Sequence, residues 1–276
     1  RPLWLGREDI AGKTILLHAE QGLGDTIHFV RYTEAVARKG ARVILEVQPA
    51  LKSLLSDIHG ADGVVSRGEP LPEFDFQLPM LSLPLAFGTR LETIPATVPY
   101  LRPAIAKVKV WKDRLGQNSG LNVGIAWSGS PNYRDNHNRS MALSKLIALA
   151  NPNVRLISLM KEVPPGDEDA LRANTQIRHF GRELEDFSDT AALVSLMDLV
   201  ISTDTSIPHL AGALGKPVWI LLQFVPDWRW LLDREDSPWY PTARLFRQTR
   251  IGDWDTVVEK VRGELCKILG PGPRPS

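Results

Sequence analysis

The 276 residues suffice for about two domains; 33 basic against 32 acidic side chains leave a charge of +1, which excludes the strong basic excess of a nucleic-acid binder and a polybasic membrane anchor. A hydrophobic content of 43% with 24% charged residues excludes wholesale disorder. The one cysteine, Cys266, excludes an intramolecular disulfide framework and a cysteine-built metal site; with no apolar run of about 18 residues and no signal-peptide pattern, a cytoplasmic protein without a membrane segment is expected. The chain opens at Arg1 without a Met, which leaves room for a longer parent protein.

In chain order, the branched apolar run TILLHA at 14–19 predicts a buried strand. A glycine-rich turn at 21–25 leads into a helical pattern that Gly40 stops after Lys39. The run at 42–47 predicts a second strand, Pro49 opens a short helix, and 63–65 and 74–78 predict two more strands. That alternation predicts a parallel sheet with right-handed crossovers. Residues 80–103 are proline-dotted and aperiodic, and an amphipathic stretch around 111–115 ends in the linker Gly116-Gln117-Asn118-Ser119-Gly120. Beyond it, strands are expected at 122–127, 154–159, 177–180, 199–202, 218–222 and 244–247, and helices at 143–150, 168–174, 190–197, 206–214 and 254–269. The Pro/Gly-rich tail 270–276 is expected to fray. The result is an α/β chain of two Rossmann-like domains, 1–110 and 111–276, facing a cleft where strand ends bind ligands. The last helix is expected to pack back on the first domain.

Three loops carry chemistry. In Glu20-Gln21-Gly22-Leu23-Gly24-Asp25, the glycines let backbone approach a ligand, and Asp25 is expected at or near a helix N-cap, where plain capping is the alternative role. No dinucleotide fingerprint is present, because Asp-Thr-Ile follows Gly24. His18 and His28 read as packed or surface histidines. The polar loop after the strand at 122–127 holds Ser128, Gly129 and residues 132–140, in which Arg134 and Arg139 could clamp phosphates; a solvated loop is the alternative. The third is Asp204-Thr205-Ser206-Ile207-Pro208-His209, running from a strand into a helix. Its Thr205 and Ser206 hydroxyls and free N–H groups form an anion site, with ordinary capping and a packed His209 as the alternative.

The segments Gly22-Leu23-Gly24-Asp25-Thr26 and 204–217 together resemble the heptosyltransferase-like glycosyltransferases (family 9-like). The segments 18–26, Trp127-Ser128-Gly129 and Asp227-Trp228-Arg229-Trp230 resemble more closely the glycosyltransferase domains that follow tetratricopeptide repeats in bacterial proteins. The resemblance spans residues 16 to about 254. It implies the GT-B architecture and an inverting, metal-independent transfer of a sugar from a nucleotide-activated donor to a glycan or protein hydroxyl. The acceptor would lie on the N-terminal domain and the donor on the C-terminal one. Carried over residue by residue, Asp25 is the general base beside an acceptor-side loop of Gln21, Gly22 and Gly24. Ser128, Gly129, Asp204, Thr205, Ser206 and His209 fall on the donor side, with Arg139 neutralising the donor diphosphate. Ser206, where the family has Gly or another small residue, and Pro208 depart from its pattern, and the donor stays open between nucleoside diphosphate sugars and a CMP-linked acidic sugar. No cofactor is implied beyond the nucleotide-sugar substrate, and an upstream tetratricopeptide region is an implied neighbour.

Two D-x-D spacings, Asp167/Asp169 and Asp253/Asp255, could suggest a metal, but each precedes a helix and reads better as a cap. Trp228 or Trp230 could stack on a base or belong to the core. Two further functions stand beside transfer: a non-catalytic module binding a nucleotide, sugar or protein, and a nucleotide-sugar epimerase or hydrolase.

Overall fold

The computed structural model describes residues 1–131 and 133–270. The first half alternates β1 (Thr14–His18), α1 (Leu23–Phe29), α2 (Thr33–Ala37), β2 (Arg42–Val47), α3 (Pro49–Leu55), β3 (Gly63–Ser66), β4 (Phe76–Pro79) and the single turn α4 (Leu83–Ala86). Its strands form a parallel sheet in the order β3-β2-β1-β4. β1 buries Ile15, Leu16 and Leu17, as a strand covered on both faces must. Pro49 occupies the first turn of α3, where its fixed φ suits a helix and its missing N–H is not needed. The helical pattern expected up to Lys39 is one course in three pieces, because a 3₁₀ turn at Val30–Tyr32 separates α1 from α2.

Helix α5 (Ile105–Leu115) leads into the second half. The division expected at 110/111 falls inside this helix: only its second turn, with Trp111 and Leu115, carries buried apolar residues, so the first turn escaped the pattern. Trp111 Nε1 donates to Asp189 Oδ1 at 3.2 Å and Lys107 Nζ reaches Asp189 Oδ2 at 2.8 Å, which fastens α5 to α9 (Phe187–Ser195) of the second half. The remaining elements are β5 (Leu121–Ala126), α6 (Asn136–Arg139), α7 (Leu143–Leu146), β6 (Val154–Ser158), α8 (Glu168–Ala173), β7 (Ile177–His179), β8 (Leu199–Thr203), α10 (Ser206–Ala213), β9 (Val218–Leu222), β10 (Ala243–Arg247) and α11 (Trp254–Leu269). Six parallel strands run in the order β10-β9-β8-β5-β6-β7. The central β8 and β9 are buried along their whole length, which is why LVIST and VWILL stand out as unbroken runs.

The last helix does not return to the first half. α11 packs on α7, the 3₁₀ turn Ile147–Leu149 and β10, and Arg244 Nη1 to Glu264 Oε2 at 2.6 Å fixes it there. Its apolar face of Val257, Val258, Val261 and Leu265 covers the second sheet's own layer, so no stripe is left for the other half. Gly270 closes the helix at φ 70°, and the rest of the tail, expected to fray, lies outside the described residues.

The halves meet through α1 against α10 and α3 against α9, where Ser53 Oγ donates to Ser188 Oγ at 3.2 Å. One close approach supports this arrangement from below. A Cβ on Gly212 of α10 would sit 2.3 Å from Cδ1 of the buried Tyr240. Alanine normally gains about 1 kcal/mol over glycine in a helix, but here Gly212→Ala is expected to cost about 1–3 kcal/mol by overpacking. Urea denaturation checks the sign; a stabilised variant would contradict the packing.

Candidate functional site

In each sheet the strand order reverses beside the first strand, between β1 and β4 and between β5 and β8. Ligands of open α/β sheets bind beyond the carboxyl ends of strands at such points. The loops after β1, β5 and β8 are the three that the sequence singled out, and the structure brings them together.

Asp25 is not the N-cap of α1. Gly22 is, and Asp25 stands at the third helical position, where its Oδ2 accepts the Gly22 N–H at 2.9 Å. Its other oxygen crosses to the second half: Arg229 Nη2 donates to Asp25 Oδ1 at 2.5 Å. Arg229 lies in the 3₁₀ turn Trp228–Trp230, capped by Asp227, whose Oδ1 accepts both Arg229 N and Nη1 at 3.0 Å. The guanidinium is sandwiched by Phe29 and Trp228, at 5.2 and 4.7 Å from the ring centroids. Beside Asp25, Gln21 offers its carbonyl to Gln48 Nε2, and Glu20 caps the turn Met80–Ser82 through the Met80 and Leu81 N–H groups. Gly24 lies against α10: a Cβ there would be 3.2 Å from Ser206 Cα and 2.9 Å from His209 Cδ2. The bare glycine is what lets the two helix starts touch.

On α10, Thr205 is the N-cap, and its Oγ1 accepts the Ile207 N–H at 3.3 Å. The hydroxyl expected on a ligand thus serves the helix as an acceptor, while Ser206 stands half-buried under Gly24. The Asp204 carbonyl accepts Arg139 Nη1 at 3.0 Å. Burial pushes the Asp204 carboxyl up to about 6; Asp227 adds to this, and the indole of Trp230 with Arg139 and Arg229 opposes it. Arg139 is held by Asn136 Oδ1 at 3.3 Å and lies 4.1 Å over the Tyr133 ring. Gly129 makes room for it, since a Cβ would meet Arg139 Nη2 at 2.5 Å; Ser128 Oγ bonds Ser140 Oγ at 3.0 Å. Ser128, Gly129 and Arg139 are therefore brought to the start of α10. Arg134 is exposed on the same loop, and Asn132 lies outside the described residues.

His209 was expected at the donor. It is buried, with Nδ1 3.0 Å from Tyr240 Oη, its ring stacked on Trp230 at 5.4 Å and its Cδ2 edge against Gly24. Its position one turn into a helix whose buried face carries Ile207, Leu210 and Ala211 turns it inward. His28 reaches the same phenol from the first half, with Nδ1 2.9 Å from Tyr240 Oη. One phenolic proton cannot serve both rings, so at least one histidine donates from Nδ1–H. Beneath them Arg31, also buried, donates to His28 O, Trp239 O, Pro95 O and Tyr100 Oη across the two halves. Tyr240, Arg31 and Arg229 were missed as site residues. Only Arg229 carried a local signal, a cation between two tryptophans.

Burial, then the positive charges of Arg31 and Arg229, holds both histidines well below the ordinary imidazole range. The unfolded chain therefore binds more protons below about pH 6.5, and the stability these rings contribute is lost as pH falls through that value. Asp204 acts oppositely: its raised carboxyl makes stability fall as pH rises from about 4 to about 6. Chemical denaturation between pH 5 and 8 is expected to show declining stability on acidification, with a shallower slope in His28→Gln. An unchanged slope would count against a neutral buried pair.

The remaining candidates have structural partners. His18 Nε2 pairs with Gln77 Oε1 at 2.7 Å. Asp167 is buried, accepting Trp127 Nε1 at 2.7 Å and Leu143 N at 3.0 Å, while Asp169 pairs with Arg172. Asp253 caps α11 through Thr256 N at 3.1 Å, and Asp255 pairs with Lys145. Trp230 is core, whereas Trp228 is 56% exposed and edge-on to Trp239. Among the described residues no group of three or more His, Cys, Asp or Glu is placed to hold a metal ion, and no helix is long and apolar enough to cross a membrane. Cavities of about 480 and 340 Å³ lie elsewhere, beside β10 and α11 and at the amino ends of β6 and β7.

No protein-family model matches the chain. It is 26% identical over 287 residues to Protein FlbA of Caulobacter vibrioides, an alignment covering 94% of this chain and 47% of FlbA, so the chain spans about half the length of that curated relative. Among solved structures it is similar to a family 9 glycosyltransferase from Veillonella parvula, with a TM-score of 0.66 at 9% identity over 92% of this chain and 90% of that one. It is also similar to the E. coli heptosyltransferase WaaC with ADP, with a TM-score of 0.57 at 11% identity over 92% of this chain and 100% of that one. The fold is that of the family 9 heptosyltransferases: two parallel-sheet α/β halves in a GT-B arrangement.

Proposed function

We propose that the chain is a glycosyltransferase that moves a sugar from a nucleotide-activated donor to a hydroxyl of a glycan or protein, with inversion and without a metal. The observation that carries this reading is the packing of the Gly24–Asp25 turn on the first turn of α10, with Arg229 bonded to Asp25 and Arg139 to the Asp204 carbonyl, on a fold shared with heptosyltransferases. A helix start exposes free N–H groups and a positive dipole end, which suit a donor phosphate. Arg139 and Arg229 would take up the charge that grows on the leaving nucleotide. Asp25 would receive the acceptor proton on the face opposite that leaving group. Ser128 and Gly129 bring the loop that positions Arg139, and Gln21, Gly22 and Gly24 form the acceptor-side wall. The reading includes a cytoplasmic setting and a neighbouring tetratricopeptide region.

A second reading, a binding module without catalysis, is favoured by one fact: both Asp25 oxygens are engaged in this state. Thermal denaturation against a panel of nucleotides and nucleotide-sugars, followed by a transfer assay with whichever stabilises, separates the two. A true donor at 100 times its dissociation constant is expected to stabilise by about 2.7 kcal/mol. Stabilisation without transfer would support the binding module for a nucleotide, and no response to any nucleotide would overturn the transferase and leave a module for a sugar or protein partner.

A further inference from the structure

We propose that Arg229 couples donor binding to release of Asp25: the guanidinium is held by Asp25 in the free protein and passes to a donor phosphate at the start of α10. The inference rests on the glycosyltransferase reading and specifies how that site is regulated.

The Arg229 side chain is only 6% exposed, yet it is shared between two carboxylates of different standing. Asp227 belongs to the same short turn and also caps it, so it anchors Arg229 whatever happens across the interface. Asp25 comes from the other half of the chain and is the exchangeable partner. It has a second tether, the Gly22 N–H, which can keep its carboxylate at the site when Arg229 leaves. The guanidinium is also not saturated, because its buried Nε has no hydrogen-bond partner. A phosphate has more charge and more acceptor oxygens than a carboxylate and takes a guanidinium in a fork, so it can displace Asp25 from this cation. The position of Arg229 suits the exchange. Gly24, next to its partner Asp25, lies against Ser206, and the Arg229 charge acts on both Asp204 and His209 at the same helix start.

The chemical consequence concerns Oδ1. Asp25 Oδ2 already accepts the Gly22 N–H, which leaves Oδ1 as the freer oxygen for the acceptor proton once Arg229, which covers it here, has moved to the donor. In the free protein the base is masked. With a donor phosphate on Arg229 it is uncovered beside the acceptor, so proton removal waits for the donor.

The test is a calorimetric titration of the whole chain with ADP, UDP and CMP, comparing wild type, Asp25→Asn, Arg229→Gln and the double variant. Because Asp25 competes for the cation, Asp25→Asn is expected to bind nucleotide about tenfold more tightly, and Arg229→Gln about tenfold more weakly, within the usual range of coupling between sites. The gain from Asp25→Asn is expected to vanish in the Arg229→Gln background. Should Arg229→Gln fail to fold, Arg229→Lys, which keeps the charge but loses the fork, takes its place with a smaller loss. Wild-type binding without a gain in Asp25→Asn, or a gain that persists without Arg229, overturns the coupling and leaves the donor site standing. No binding by either wild type or Asp25→Asn overturns the coupling and the donor reading together.

Discussion

Asp25→Asn is expected to lower sugar transfer by about 10²- to 10⁴-fold, the usual worth of a positioned general base. Inverting transfer requires the acceptor hydroxyl to lose its proton as it attacks the anomeric carbon, and Asp25 is the carboxylate in the first turn after β1, next to the Gly24 that lies against the start of α10. Asn keeps an oxygen that can accept from Gly22 N–H or from Arg229, so the local geometry has a substitute and only the basicity is gone. Asp227 remains to balance the buried guanidinium. Initial rates with an identified donor, measured beside a thermal melt of the same preparation, check the result. Near-normal transfer in a well-folded variant would make Asp25 a helix cap and an interface ion pair, and nothing more.

The largest loss of stability is expected from Arg31→Ala, about 3–5 kcal/mol, from several buried oxygens left without a donor together with the void that remains. Arg31 is buried and bonds no carboxylate; it donates instead to His28 O, Pro95 O, Trp239 O and Tyr100 Oη. Its guanidinium lies over the rings of Tyr100 and Tyr240, 4.7 and 4.6 Å from their centroids. Truncation leaves those oxygens without a donor and opens a void beneath the two histidines. Guanidinium chloride denaturation measures the loss. A cost under about 1 kcal/mol would mean that water replaces the side chain and that the two halves do not depend on it.

Much of the fold was legible because parallel strands covered on both faces read as unbroken apolar runs: TILLH, VWILL and LVIST mark β1, β9 and β8 directly. What escaped was written in no local pattern. The first turn of α5 is Ile105 at 88% exposure, Ala106, Lys107 and Val108, none of them buried, so it has no apolar stripe to find. The 3₁₀ break at Val30–Tyr32 has no glycine or proline to announce it. The same division runs through the site. Gly24, Asp25, Thr205 and Ser206 sit at helix starts whose glycines and capping residues are visible over a few positions. The Asp25–Arg229 pair joins residues far apart in the chain, as does the meeting of His28, His209 and Tyr240. Such pairings are fixed by how the halves dock, which no periodicity records. The burial of His209 was not legible for this reason: a histidine one turn into a helix is compatible with either direction until Trp230 and Tyr240 are in place.

The contact of Gly24 with α10 bears on how sequence variation among relatives should be weighed. Any side chain at that position drives a carbon into Ser206 and His209, so selection for folding alone would keep glycine there, whether or not the protein has a substrate. An unvarying Gly24 would therefore be silent about catalysis. Asp25 is the informative neighbour. Asn could also accept the Gly22 N–H, so relatives that have lost both the proton-taking role and the pairing arginine at position 229 should drift between Asp and Asn, and an Asp kept where that arginine is gone would point to proton uptake.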